Sequence, residues 1–389
     1  MAKIELDNGF WGYRRKNGEV GIRNRVAVLA VTDSANSIVR HLTQVIRGTL
    51  PLTVWYGRGQ FGEDDIIFRR TQIGLASNPN IGAVLVIGLE SVSTQQVADS
   101  IAKSGKPVAK LSIQDAGGSI EALAQGMRLL MPLVQDASAV RPERMALSEI
   151  VLGVECGGTD TTSGIASNPA LGWVADRVVD AGGTVYLSET SEWMGAEHIL
   201  AKRATSPELG KAIAAAVRRI EDDASARGVD IRGANPVPDN IRGGITTIEE
   251  KSLGAIIKGG TRPVSGLLSY ATKASGRGLY LMDTAAPAAE SMTGLAAGGA
   301  QIIIFTTGQM NILGCPVAPT MKITGNPRTA KRLADNVDVD VSKMLEGESL
   351  EQAGGRLLDA MLQTASGRLT RSETLGDEEI AISRIQPTV

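Results

Sequence analysis

The stretch that most constrains this chain is Ile150-Val151-Leu152-Gly153-Val154, an unbroken apolar run that ends at once in Glu155-Cys156-Gly157-Gly158-Thr159-Asp160. A short run with no polar alternation reads as a strand covered on both faces, as in parallel sheets. The pattern recurs. Arg25 to Thr32, Ala83 to Gly88, Pro107 to Ile113, Thr184 to Leu187, Leu279 to Asp283, Ala300 to Phe305 and Thr320 to Thr324 are further strand-length segments, most of them followed by turn residues and a helix-length segment. Strands alternating with helices make βαβ units. The expected fold class is therefore α/β, with two Rossmann-like or flavodoxin-like domains on mostly parallel sheets. Residues 1–140 are expected to form the first and 148–389 the second, with a linker around 136–144 and a surface extension after Arg368.

Parallel α/β sheets place their sites at the carboxyl ends of strands. Here the first such end delivers Cys156 and Asp160. The segment after Thr184–Leu187 delivers Glu189, Glu192, Glu197 and His198, one of only two histidines. The other, His41, falls inside an expected helix and reads as structural.

Composition narrows the function classes. The net charge is −2, with both signs interspersed and aromatics at 3%. There is no basic stripe with interleaved aromatics, so no nucleic-acid partner is expected. No apolar stretch reaches the roughly 18 residues of a membrane span, and the amino terminus lacks an apolar signal region. A cytoplasmic protein is expected. Two cysteines, Cys156 and Cys315, make no disulfide framework and suit a reducing compartment.

Other loops add candidates. Gly12 to Asn24 holds an Asn17-Gly18 turn between short arms, a hairpin signal, and its arginines suit a carboxylate of substrate or protein. Gly57-Arg58-Gly59-Gln60-Phe61-Gly62 opens a helix beside one cation, which suits an anion, but it has neither the P-loop lysine nor dinucleotide spacing. Thr246 or Thr247 can cap a helix, answered by Glu249 or Glu250. The strand ending at Phe305 runs into Thr306-Thr307-Gly308-Gln309 and on to Cys315. There is no Gly-x-Ser-x-Gly elbow, Walker A loop or Cys-x-x-Cys pair.

Carboxylates with one thiol or imidazole suit a divalent iron, manganese or magnesium ion. Such an ion polarises the carboxylate and 2-hydroxyl of a hydroxy acid, acidifies the adjacent C–H and helps a β leaving group depart. Metal-assisted elimination is the reaction class these residue types suggest. Cys156 reads equally well as a small buried hydrophobe.

Several segments are similar to one known family. GYRRKNGEVGIRN, CGGTDTTSGIASNPALG, SEWMGAEHIL, GGITTIEEKSLG and FTTGQMNILGCPVAPTMKITGNP resemble the altronate/galactarate dehydratase family over about residues 12–342. YGRGQFGED, GLYLMDTAAPAAE, ITGNPRT and DVDVS carry a closer likeness to its sulfite-expelling branch, in which a small 2-hydroxy carboxylate of the sulfolactate type loses sulfite to give pyruvate. Gln309 belongs to the same likeness, for the water-expelling dehydratases tend to have arginine there. The alternatives are a hydro-lyase of altronate or galactarate and a non-catalytic sugar-acid-binding subunit. The resemblance implies a divalent metal, Fe2+ first, with Mn2+ or Mg2+ as substitutes, and Cys156, Asp160, Glu192 and Glu197 as its expected ligands. It implies Glu249, Glu250 and Lys251 as catalytic residues and Thr306, Thr307, Gly308 and Gln309 as an anion-binding loop, to which the residue types of the hairpin and the Gly-rich loop add Arg23 and Arg58 as expected substrate-binding residues. Full-length dehydratases of the family begin with a small SAF-type domain. Here the sequence starts at the hairpin, so a small SAF-type subunit in trans is expected, together with self-association into a homo-oligomer.

Overall fold

A computed structural model describes residues 9–385. Two parallel sheets carry the chain. The first has four strands in the order Thr49–Leu52, Arg25–Ala30, Ile81–Gly88, Val108–Ser112. The second has seven, in the order Val264–Leu268, Gly278–Met282, Thr184–Leu187, Val151–Cys156, Ile302–Thr306, Thr320–Thr324, Val339–Asp340, again all parallel. The fold class is α/β, as the apolar runs imply. Their central strands are buried on both faces, which removes any need for polar alternation.

The expected hairpin forms, with Phe10–Arg14 antiparallel to Val20–Gly21. Glu143–Met145 joins it as a third antiparallel strand, within the stretch read as a linker. The edge strand Val264–Leu268 has no strong signal in the sequence, since it pairs on one side only and most of its residues are half-buried.

A continuous core joins the two sheets. Ala27, Leu29 and Leu75 of the first half pack in one cluster with Met292, Leu295 and Ile303 of the second. Asn78 donates to the Ala296 and Ala300 carbonyls at 2.7 and 2.8 Å, which satisfies buried polar groups at the junction. The segment after Arg368 is not a surface extension. Glu373 in it is buried against Arg23 and Arg25, and the Ile382 carbonyl accepts from the Tyr56 hydroxyl at 2.6 Å. Among the described residues no helix is long and apolar enough to cross a membrane.

Topology selects the site. From Val151–Cys156 the second sheet grows one way through Thr184–Leu187, then the chain crosses to Ile302–Thr306 on the other side. In sheets of this kind the position favoured for a site at the switch point lies between the ends of Val151–Cys156 and Ile302–Thr306.

Candidate active site

Cys156 ends its strand with its thiol buried. Its Sγ lies 3.0 Å from Lys258 Nζ and 3.5 Å from Glu189 Oε1. Lys258 Nζ lies 2.5 Å from Glu189 Oε2, which also accepts the Cys156 backbone N–H at 3.0 Å. Thiol, ammonium and carboxylate thus form one closed group with almost no exposure.

The local fold delivers each member. Lys258 sits on the short turn Ile257–Gly259, which lies against the helix Asn168–Asp180. A Cβ at Gly172 would stand 2.2 Å from the Ile257 carbonyl oxygen, so this approach requires glycine there. Asp176 of the same helix accepts the Thr261 N–H at 2.7 Å and fixes the end of the turn. Glu189 follows its strand in the left-handed region, at φ 66°, with its N–H donated to Thr284 Oγ1 at 2.7 Å. A non-glycine residue held there costs about 1–2 kcal/mol, a strain that concentrates at functional sites.

Glu155 and a second lysine–glutamate pair complete the cluster. Glu155 Oε2 accepts from the Ser188 and Ser291 hydroxyls at 2.8 and 2.6 Å, and its Oε1 is buried without a hydrogen-bond partner. Lys251 Nζ lies 3.0 Å from Glu192 Oε1 and 2.9 Å from Asn235 Oδ1, while Glu192 Oε2 is buried and unpartnered. Two orphaned carboxylate oxygens in one buried region are costly unless a ligand or a proton uses them.

Burial dominates the electrostatics. It pushes the Glu155 carboxyl well above the usual range, reinforced by Glu189 and opposed by Lys258. Burial, then Glu189, pushes the Cys156 thiol up. Glu189 is raised by burial and opposed by Lys258. Burial acts against the Lys258 charge, but Cys156, Glu189 and Glu155 outweigh it and raise the ammonium above its usual range. The Lys258–Glu189 ion pair is the charged element of the group.

The expected metal ligands do not share a centre. Asp160 Oδ1 accepts from Thr162 Oγ1, Ser163 N and Ser163 Oγ at 2.6, 3.1 and 3.3 Å, and its Oδ2 accepts from Asn326 at 2.7 Å. Glu197 accepts the Gly195 N–H at 2.6 Å, Glu192 holds Lys251, and His198 is exposed. Among the described residues no three His, Cys, Asp or Glu side chains stand together to hold an ion. A divalent ion on Cys156 would also face the Lys258 ammonium. These residues do not fit the metal that the resemblance implies.

Of the expected catalytic residues, only Lys251 enters the site. Glu249 is on the outer face of its helix with Arg232 at 2.6 Å. Glu250 accepts the Thr246 N–H at 2.8 Å, and Thr247 caps the helix by accepting the Glu250 N–H at 3.2 Å. The expected anion loop spends its donors inside the protein. Thr306 donates to Asn168 Oδ1 at 2.7 Å, Gly308 N and Gln309 N donate to the Gly158 carbonyl at 3.1 and 2.8 Å, and Thr307 Oγ1 accepts from Met310 N at 2.9 Å. The Gln309 side chain donates to the Asp239 carbonyl. Arg23 grips Glu373 through Nε and Nη2, both at 2.9 Å, and Arg58 lies at the first sheet. Cys315 is a buried core residue.

Lys258 and Glu155 are absent from the expected candidates, whereas Glu189 stands among the expected strand-end carboxylates but in none of the assigned roles. A signal for Lys258 exists: a lone lysine in Ala255-Ile256-Ile257-Lys258-Gly259-Gly260 sits where a charge is expensive.

Known proteins are similar to this chain over most of its length. Residues 147–388 match the D-galactarate/altronate dehydratase C-terminal family model, and residues 12–138 match the D-galactarate dehydratase/altronate hydrolase second-domain model. The (2R)-sulfolactate sulfo-lyase subunit beta of Chromohalobacter salexigens is 41% identical over 97% of each chain. The altronate dehydratase of Bacillus subtilis is 30% identical over 96% of this chain and 77% of that one. The galactarate dehydratase (L-threo-forming) of Escherichia coli is 28% identical over 92% and 73%. The chain belongs to the D-galactarate/altronate dehydratase family.

Proposed function

We propose that this chain is the larger subunit of a lyase that eliminates sulfite from a sulfolactate-type 2-hydroxy carboxylate and yields pyruvate. The observation that carries this reading is the near full-length match to a sulfo-lyase subunit, at a switch point furnished with two buried lysine–glutamate pairs. Elimination needs a base for the C2 proton and cations for the charge that builds on the carboxylate. Glu192 Oε2, buried and uncommitted, is the base. It takes the C2 proton, the C2–H electrons form the C2–C3 double bond, and the C3–S pair leaves with sulfite. The resulting enol tautomerises to the keto acid. Lys251 and Lys258 hold the substrate carboxylate as it gains enediolate character. Glu189 keeps Lys258 charged and aimed, and the Cys156 thiol positions its ammonium.

A small SAF-type subunit in trans completes the enzyme, in keeping with the Chromohalobacter relative being a subunit beta. The test is an anaerobic assay of sulfolactate, altronate and galactarate, run with and without the small neighbouring gene product. Equal release of sulfite and pyruvate from sulfolactate, dependent on that partner, is expected. Water loss from altronate or galactarate with sulfolactate untouched would replace this reading with a sugar-acid hydro-lyase, in line with the dehydratase relatives. Full activity of the isolated chain would remove the partner.

A further inference from the structure

The Gly57–Gly62 loop takes no part in the site above, yet it borders the other switch point of the molecule. The chain leaves Arg25–Ala30 to one side for Thr49–Leu52 and then crosses to the other for Ile81–Gly88. The crevice that topology favours in this sheet lies between the ends of Arg25–Ala30 and Ile81–Gly88. A cavity of about 180 Å³ opens there, lined among others by Thr32, Arg58, Asp65, Gln72, Glu90 and Ser93.

Most of its polar groups are committed. Gln72 donates to the Ala30 and Val31 carbonyls at 2.8 and 3.0 Å. Asp65 holds Arg69 at 2.9 Å. Glu90 caps the helix Ser91–Ala102, accepting from Ser93 N at 2.8 Å and Val92 N at 2.5 Å. Two groups are not committed. Thr32 is 7% exposed and its hydroxyl has no hydrogen-bond partner, although it precedes the turn Asp33–Ala35 and could have capped it. Arg58 is exposed and acts electrostatically on Glu90, without a hydrogen bond to it or to any other side chain among the described residues. Gly57, at φ 145°, lets the Arg58 loop lie on Thr32, because a Cβ there would stand 3.1 Å from Thr32 Cα.

A guanidinium with its N–H donors free and a buried hydroxyl without a partner complement a carboxylate and an adjacent hydroxyl. We propose that this crevice is a second binding site, separate from the Cys156–Lys258 group, for a small hydroxylated carboxylate. The carboxylate rests on Arg58 and the ligand hydroxyl on Thr32. No crevice residue shares a hydrogen bond or ion pair with Cys156, Lys258, Lys251 or their glutamates. The proposal concerns binding alone and stands whether or not the chain is a lyase.

The test is calorimetric titration of the full chain with glycerate, against acetate and glycerol at matched ionic strength, with exposed Trp55 as a fluorescent reporter beside the loop. Saturable glycerate binding that acetate and glycerol do not reproduce is expected. Arg58→Gln should weaken it by about tenfold or more, the loss of one charge-assisted contact. Thr32→Val should weaken it too while raising the Tm of the ligand-free protein, since it deletes an unsatisfied buried hydroxyl. A merely structural Thr32 would not give that opposite pair of effects. Lys251→Gln, in the other crevice, should leave the Arg58-dependent binding within about twofold. The proposal is overturned by the absence of saturable glycerate binding, by binding indifferent to Arg58→Gln and Thr32→Val, or by binding lost in Lys251→Gln as fully as in Arg58→Gln. The last result would make the two crevices one site.

Discussion

The two parallel sheets reach their switch points with opposite electrostatics. At the first, Arg58, Asp65, Arg69 and Glu90 are solvated, and Asp65 and Glu90 are spent on an exposed ion pair and a helix cap. At the second, Glu155, Glu189 and Lys258 are buried, and so are Glu192 and Lys251. The residue types are nearly the same. Water is the difference: a solvated pair is screened and worth little, whereas a desolvated charge acts strongly on whatever shares its cavity. Only the second crevice has the field that elimination chemistry needs.

Lys258→Met breaks this comparison most severely. It leaves Glu189 buried without its cation, so stability should fall by about 3–5 kcal/mol and turnover by about 10³-fold. Adding Glu189→Gln should restore much of the stability and none of the turnover. Denaturant titration and a steady-state assay separate the two effects. Recovery of turnover in the double variant would remove Lys258 from the chemistry.

Glu192→Gln is gentler, since the amide oxygen can still accept from Lys251. Turnover should fall by about 10²–10³-fold, as for a lost general base, with a smaller loss of stability than in Lys258→Met because Asn235 and the new amide oxygen still accept from Lys251. An equal loss from Glu249→Gln, out on the solvent face with Arg232, would transfer the proton-abstracting role to the helix surface.

The segment that ties the sheets together carries its own pH signature. Burial, reinforced by Glu373 and opposed by Arg25, pushes Glu378 up to about 7. A carboxyl raised on folding binds its proton more tightly in the native state, so stability falls as pH rises from about 4.5 towards about 7. Glu378→Gln should flatten that fall and gain up to about 3 kcal/mol above pH 7. Thermal melts of both proteins from pH 5 to about pH 8 check it; parallel curves would show that Glu378 does not titrate in that window.

What the sequence reveals follows the range of the interaction. Apolar runs locate the buried strands because each strand needs only its own side chains to be covered. The Asn17-Gly18 hairpin and the Thr247 cap are legible for the same local reason. The site is not. Lys258 meets Glu189 across 69 positions, and Arg23 meets Glu373 across 350. No window on the chain holds both partners. Glu249, Glu250 and Lys251 look alike in sequence, but helix geometry sends only Lys251 inward.

Arg69→Ala is the smallest change and the sharpest control on that contrast. Its pair with Asp65 has the same 2.9 Å geometry as a buried salt bridge, is i,i+4 on a helix, and is half-exposed. Screening and side-chain entropy should leave it worth less than about 0.5 kcal/mol, with turnover unchanged. A loss of several kcal/mol in a denaturant titration would mean that the first crevice is as desolvated as the second. Distance alone would then rank the two ion pairs correctly, and burial would not be what separates a structural charge from a working one.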